Sequence, residues 1–200
     1  MFNNITPEPD PQAPVSQPAD EPGTVAVNWI FEWLELFVLV FTVVFLVITF
    51  LARHSPVKGA SMENTLHEND ILIVSKLFYT PKQGDIVVFQ SPAGGYSEPY
   101  VKRIIALENQ VIDINFETWE VTVDGALLDE PYVNRENAVM IGSLFTFPMT
   151  IPKGAVFVMG DNRNHSLDSR NARLGPVDMR FILGRVVFRV FPFNKIGVVN

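Results

Sequence analysis

Apolar positions fall into three regimes along the chain. The first stretch holds few of them: six prolines interrupt residues 1–22, with Asn, Gln, Asp and Glu between them. A segment with so little apolar surface cannot offset the entropy of ordering its backbone. Residues 1–28 are therefore predicted to be a disordered, acidic, proline-rich tail. Residues 29–52 are the reverse. Leu36–Ala52 is a run of 17 residues without a charge, LFVLVFTVVFLVITFLA. At about 1.5 Å per residue this run falls slightly short of a ~30 Å hydrocarbon core. Extending it back to Trp29 gives 24 residues and brings in Glu32 and Glu35 beside Trp29 and Trp33. Tryptophan suits the headgroup belt, so the two acids are expected at that level. One transmembrane helix over 29–52 is predicted. A core helix is seldom apolar on every side, and a cleaved signal peptide opens with positive charge, whereas no Lys or Arg precedes Arg53.

The third regime, residues 53–200, consists of short apolar runs rich in Val, Ile and Phe, separated by turn residues. They are DILIVSK (70–76), DIVVFQ (85–90), YVKRIIAL (100–107), QVIDI (110–114), WEVTV (119–123), AVFVMG (155–160) and GRVVFRVF (184–191). Asp124-Gly125 marks a hairpin. No long stretch has helical periodicity. The pattern predicts a mainly β, antiparallel body.

Charge sharpens this division. The net charge is −7, but the six acids before Arg53 leave 15 basic and 16 acidic residues beyond it, a net of −1. That balance excludes a general nucleic-acid binder. The positive-inside rule alone, acting on Arg53 and Lys58, would put the body in the cytoplasm. The chain has no cysteine, which removes disulfides, thiolate metal sites and a cysteine nucleophile.

Several chemistries drop out. His54, His67 and His165 lack metal-ligand spacing. The elbow G-x-S-x-G fails, because Gly59-Ala60-Ser61 is followed by Met62-Glu63. Ser55-Pro56-Val57-Lys58 matches S-x-x-K, but Pro56 opposes the helical turn that motif needs. Asp161-Asn162-Arg163-Asn164 lacks the glycine of a calcium loop. What remains is Ser61 before one strand and Lys102 inside the apolar run YVKRIIAL. A lysine in apolar surroundings loses hydration and tends to neutrality, and can then deprotonate a hydroxyl. The bland alternative is a lysine snorkelling from a strand edge. A third polar segment, VMGDNRNHSLDSRNARLGPV (158–177), offers Asp161, Arg163, Asp168, Arg170 and Arg173 as a paired network.

Together these segments resemble the bacterial type I signal peptidases, the Ser/Lys dyad (leader) peptidases, in their Gram-positive-like branch. GASMENTLHENDILIVSK is similar to the family's G-x-S-M-x-P-T-L-x-x-G-D; GDIVVFQSP and YVKRIIAL follow in order; GDNRNHSLDSR is similar to G-D-N-R-x-N-S-x-D-S-R. Departures are Asn64 where proline is usual, Asn69 for a glycine, 106–110 for a Gly-Leu-Pro-Gly-Asp-like turn, and His165 for a common asparagine.

The resemblance implies a membrane-bound serine endopeptidase that cleaves signal peptides from exported preproteins. Its fold would be an antiparallel β-sheet peptidase body over 53–200, with a small hairpin cap at 110–155 and one preceding transmembrane α-helix. It implies Ser61 as nucleophile and Lys102 as general base. Ser166 would orient the lysine, Asp161 would pair with Arg103, and Asp168 with Arg170. The backbone N–H of Ser61 would hold the oxyanion, with Gly59 at the position where other branches place a serine hydroxyl. Substrate would add as a strand along Val57, Gly59, Ala60, Met62, Pro99, Tyr100 and Val101. No cofactor and no metal are implied; the partners are preprotein signal peptides and the lipid bilayer, with no nucleic acid. The implied location is the bacterial cell membrane, single-pass, with the catalytic domain extracytoplasmic, against the local charge bias. One alternative shares this chemistry and one is of another class. A self-cleaving Ser/Lys repressor is disfavoured by the span and the lack of a DNA-binding segment, and a catalytically silent, membrane-tethered β domain by the presence of Ser61 and Lys102.

Overall fold

A computed structural model describes residues 22–51, 53–91, 99–133 and 145–199. Helix α1 runs over Pro22–Leu51. The expected tail is thus too long: 22–28 is helix, and the rest of that expectation lies outside the described residues. Proline at a helix start forfeits only an N–H that has no intrahelical partner, so Pro22 opens the helix at little cost. The window Trp29–Leu46 has a mean hydropathy of 2.1 and none of it is buried. Among the described residues α1 is the one helix long and apolar enough to cross a membrane.

The body is antiparallel throughout. Its strands are β1 (Arg53–Pro56), β2 (Ile71–Ser75), β3 (Ile86–Phe89), β4 (Tyr100–Ala106), β5 (Val111–Ile114), β6 (Val121–Val123), β7 (Ala126–Leu127), β8 (Met149–Thr150), β9 (Ala155–Met159), β10 (Val177–Asp178), β11 (Ile182–Phe191) and β12 (Gly197–Val198). One sheet has the order β1-β2-β11-β3-β4-β9-β10, with β12 added to β11. A four-stranded sheet, β7-β6-β5-β8, lies within 110–155. Asp124 and Gly125, with φ of 51° and 80°, make the tight turn between β6 and β7, the left-handed conformation that this dipeptide tolerates.

Alternation explains the layers. Along β3, Ile86 and Val88 enter one core with Leu72, Val74 and Val186, while Val87 and Phe89 enter a second with Ile104, Val156 and Val158. Being buried on both faces, β3 reads as an unbroken apolar run. On β9, Phe157 and Met159 turn instead to a third core shared with Ile112, Ile114, Val121 and Val123 of the small sheet. Strand β4 is held between β3 along Tyr100–Arg103 and β9 from Arg103 onward.

Candidate active site

Ser61 sits on a tight turn between β1 and β2. Met62 and Leu66, 1% and 0% exposed, plug this turn into the core. The N–H groups of Thr65 and Leu66 both donate to Met62 O, at 3.0 and 2.8 Å. Two departures from the family pattern fall at left-handed positions here, Asn64 at φ 86° and Asn69 at φ 69°. Asparagine is the side chain that best tolerates this region after glycine, so Asn69 does the work of the usual glycine.

Lys102 reaches the turn from β4. Its Nζ lies 2.6 Å from Ser61 Oγ and 3.0 Å from the Val101 carbonyl. The residue is 3% exposed. Burial pulls its pKa down to about 8; Asp168 and Asp161 act in the opposite direction, and Arg170 adds to the lowering.

Three buried ion pairs surround this contact. Arg103, the next residue on β4, grips Asp161 with two hydrogen bonds of 2.9 and 2.8 Å and donates to Gly84 O at 2.9 Å. Thr65 Oγ1 donates to the same carboxylate at 2.5 Å, tying the Ser61 turn to the pair. Arg170 grips Asp168 at 2.8 and 2.9 Å. Burial alone would raise the Asp168 carboxyl, but the Arg170 guanidinium and the Gly160 N–H more than offset it and hold it below its ordinary value. Arg163 pairs with Glu130 at 2.6 Å, both side chains essentially inaccessible.

Ser166 departs from expectation. It was expected to hydrogen-bond the lysine, but its buried Oγ makes no well-formed hydrogen bond among the described residues. The hydroxyl helps to hold the Asp168 carboxyl down, and the Val101 carbonyl supplies the second contact that orients Nζ. Arg173, read as part of the network, is exposed. All three histidines are exposed as well.

Of the expected substrate strand, Gly59 and Pro99 are exposed, and Ala60 and Tyr100 half-buried. Val57, Met62 and Val101 turn their side chains into the core. The Val57 backbone is also already occupied, its N–H donating to Asp70 O and its carbonyl accepting from Asn69 N–H. These three thus support the loop from beneath. By contrast, β9 pairs with β4 only from Arg103 onward, so Tyr100–Lys102 have no strand on that side among the described residues.

Four contributors escaped the sequence reading. Asn162 N–H donates to Ser61 O at 3.1 Å and its Nδ2 to Ala60 O at 3.0 Å, a clasp on the backbone of the turn. Gly160 is packed so closely that a Cβ there would lie 2.4 Å from both Ser61 O and Ser166 Oγ. Glu130 and Tyr132, from the turn after β7, reach Arg163 and Arg103. The dense polar run 160–170 was a usable signal for the first two; nothing local marks the others.

Known proteins resemble this chain over most of its length. The family described as "Signal peptidase, peptidase S26" matches residues 30–191. A signal peptidase I of Bacillus licheniformis is 36% identical over 88% of this chain and 97% of its own length. Signal peptidase I T of Bacillus subtilis is 35% identical over 84% of this chain and 89% of its own. The chain is also similar to a signal peptidase I structure from Enterococcus faecalis, with a TM-score of 0.44 and 27% identity over 55% of this chain and 98% of that one. On the extent of the family match and the level of identity across nearly the whole body, this chain belongs to the signal peptidase family, peptidase S26, and is a signal-peptide-cleaving peptidase.

Proposed function

We propose that the chain is a membrane-anchored serine endopeptidase of exported preproteins, with Ser61 as nucleophile and Lys102 as general base. The single observation that carries this is the 2.6 Å approach of a 3%-exposed lysine amine to a serine hydroxyl. Neutral Nζ takes the proton as Oγ attacks the scissile carbonyl. The ammonium then donates it to the departing amine, and the same amine activates the water that releases the acyl group. Ser61 N–H donates to no group among the described residues and is available to the oxyanion. Gly59 adds no side-chain donor there.

Substrate lies as an added strand beside Tyr100–Lys102, facing Gly59 and Ala60. Its main chain then satisfies the open ladder positions of β4, and its small side chains point into the gaps. Helix α1 anchors the enzyme as a single span in the bacterial cell membrane, with the body on the extracytoplasmic side, where signal peptides emerge. The Asp161–Arg103 and Asp168–Arg170 pairs hold the site together, with Ser166 as buried filling against Asp168 rather than as an orienting donor.

The test is cleavage of an exported preprotein by the detergent-solubilised chain. Ser61→Ala and Lys102→Met are each expected to cut turnover by about 10⁴-fold or more with unchanged circular dichroism. Persisting turnover in either variant overturns the dyad.

A further inference from the structure

The turn Glu130–Val133 follows β7 and is closed by Val133 N–H donating to Glu130 O at 3.2 Å. Its two large side chains reach two of the three arginines whose ion pairs surround the Lys102–Ser61 contact. The Glu130 carboxylate accepts from Arg163 at 2.6 and 3.3 Å. The Tyr132 ring faces the Arg103 guanidinium, 3.9 Å from its centroid, and the Tyr132 hydroxyl lies 3.3 Å from Glu130 Oε1. One small turn thus binds two cations that lie 60 residues apart in sequence, as the numbers 103 and 163 show.

What those arginines hold gives the turn its consequence. Arg163 Nε donates to Gly160 O at 3.1 Å, and Arg163 O accepts from Arg170 at 2.8 Å. Its neighbour Asn162 clasps the backbone of Ala60 and Ser61. Arg103 holds Asp161, to which Thr65 of the nucleophile turn is bonded. A buried guanidinium stays inside only while its charge is matched. Without Glu130, Arg163 is drawn outward and takes the 160–163 loop with it. Without the Tyr132 ring, Arg103 loses the aromatic face packed against its guanidinium beside Asp161. In both cases the loss arrives at Ser61 as displacement, because the groups that fix its backbone are the ones that move.

We propose that Glu130 and Tyr132 are positioning residues for the hydrolytic reaction, a brace by which the small sheet fixes the distance between Ser61 and Lys102. The proposal rests on the dyad reading. It also gives the small sheet a part in the rate of the chemistry, separate from any contact with substrate.

The experiment measures kcat and KM for preprotein cleavage by the full chain in detergent micelles, with near-ultraviolet circular dichroism as the check on folding. Glu130→Gln and Tyr132→Leu are each expected to lower kcat by about 10- to 100-fold, the scale of a reacting group displaced by about 1 Å, with KM within about twofold. Tyr132→Phe keeps the ring and is expected to restore kcat to within about threefold of the parent chain. A purely stabilising turn would lower the folded fraction and leave kcat per folded molecule alone. Unchanged kcat in a folded Glu130→Gln, a loss confined to KM, or equal damage from Tyr132→Phe and Tyr132→Leu overturns the brace. If Glu130→Gln does not fold, the Tyr132 pair decides: a slow Leu variant beside an active Phe variant supports it, and equal rates overturn it. Turnover surviving in Ser61→Ala or Lys102→Met sinks the dyad itself, a different outcome from any of these.

Discussion

Lys102 and Arg103 are consecutive on β4 and equally buried, at 3% exposure each, yet their surroundings treat a positive charge in opposite ways. Around Arg103 stand a carboxylate gripped at two points, the carbonyl of Gly84 and the face of Tyr132. Around Lys102 stand a hydroxyl, a carbonyl and, 5.9 Å off, the Tyr100 ring, and no carboxylate forms an ion pair with it among the described residues. Asp168 and Asp161 act on it only from further off. A guanidinium cannot shed its proton at accessible pH, so its pocket has to match the charge. An ammonium can, and desolvation without a close anion makes it do so near pH 8. Burial sets the penalty for carrying charge; the first neighbour decides whether the charge survives.

The comparison is broken hardest by removing the match. Arg103→Met leaves Asp161 buried with Thr65 as its remaining close donor, and should cost about 3–5 kcal/mol in a urea melt. In the fraction that stays folded, the Asp161 charge acts on Lys102 undamped, so the midpoint of the pH–rate profile moves upward. A melt indistinguishable from the parent would remove the contrast between the two sites.

The opposite sign is expected one residue earlier. Lys102 binds its proton more weakly when folded, about 8 against 10.5, so the penalty is fully present below pH 8 and fades toward pH 10.5. Lys102→Met should therefore stabilise the fold, on the order of 3 kcal/mol at pH 7, with the gain shrinking at pH 10. Equal gains at the two pH values would show that the amine carries no desolvation penalty.

The pH–rate profile gives the finest resolution. With Lys102 neutral as the reactive form, kcat/KM should rise about tenfold per unit below pH 8 and level off above it. A rate flat from pH 6 to 10 means that the base lies elsewhere.

Much of this was legible in the residues. The runs that became β2, β3, β4, β5, β9 and β11 announced themselves, because strands that bury one or both faces leave period-two or continuous apolar patterns. Strands β8, β10 and β12 did not, since two residues carry no readable period, and neither did β1, whose Arg-His-Ser-Pro carries no apolar pattern. In WEVTV the strand starts only at Val121; Trp119 takes φ 60° instead, placing its ring under Arg170. The proposed Ser61–Lys102 pair came from chemistry and resemblance, whereas the Glu130–Arg163 bond spans 33 residues and leaves no local trace. A buried carboxylate needs a matching cation, and where that cation is distant in sequence, as Arg163 is from Glu130, linear sequence does not name it.

Asn64 carries a last consequence. Its φ of 86° lies far from the value near −65° to which a pyrrolidine ring is locked. The proline of the motif this segment resembles therefore cannot be grafted here as a point change. Consensus engineering, a routine way to toughen an enzyme, would at this position bend the very turn that presents the serine, so this member must be improved from its own backbone rather than from the average of its kin.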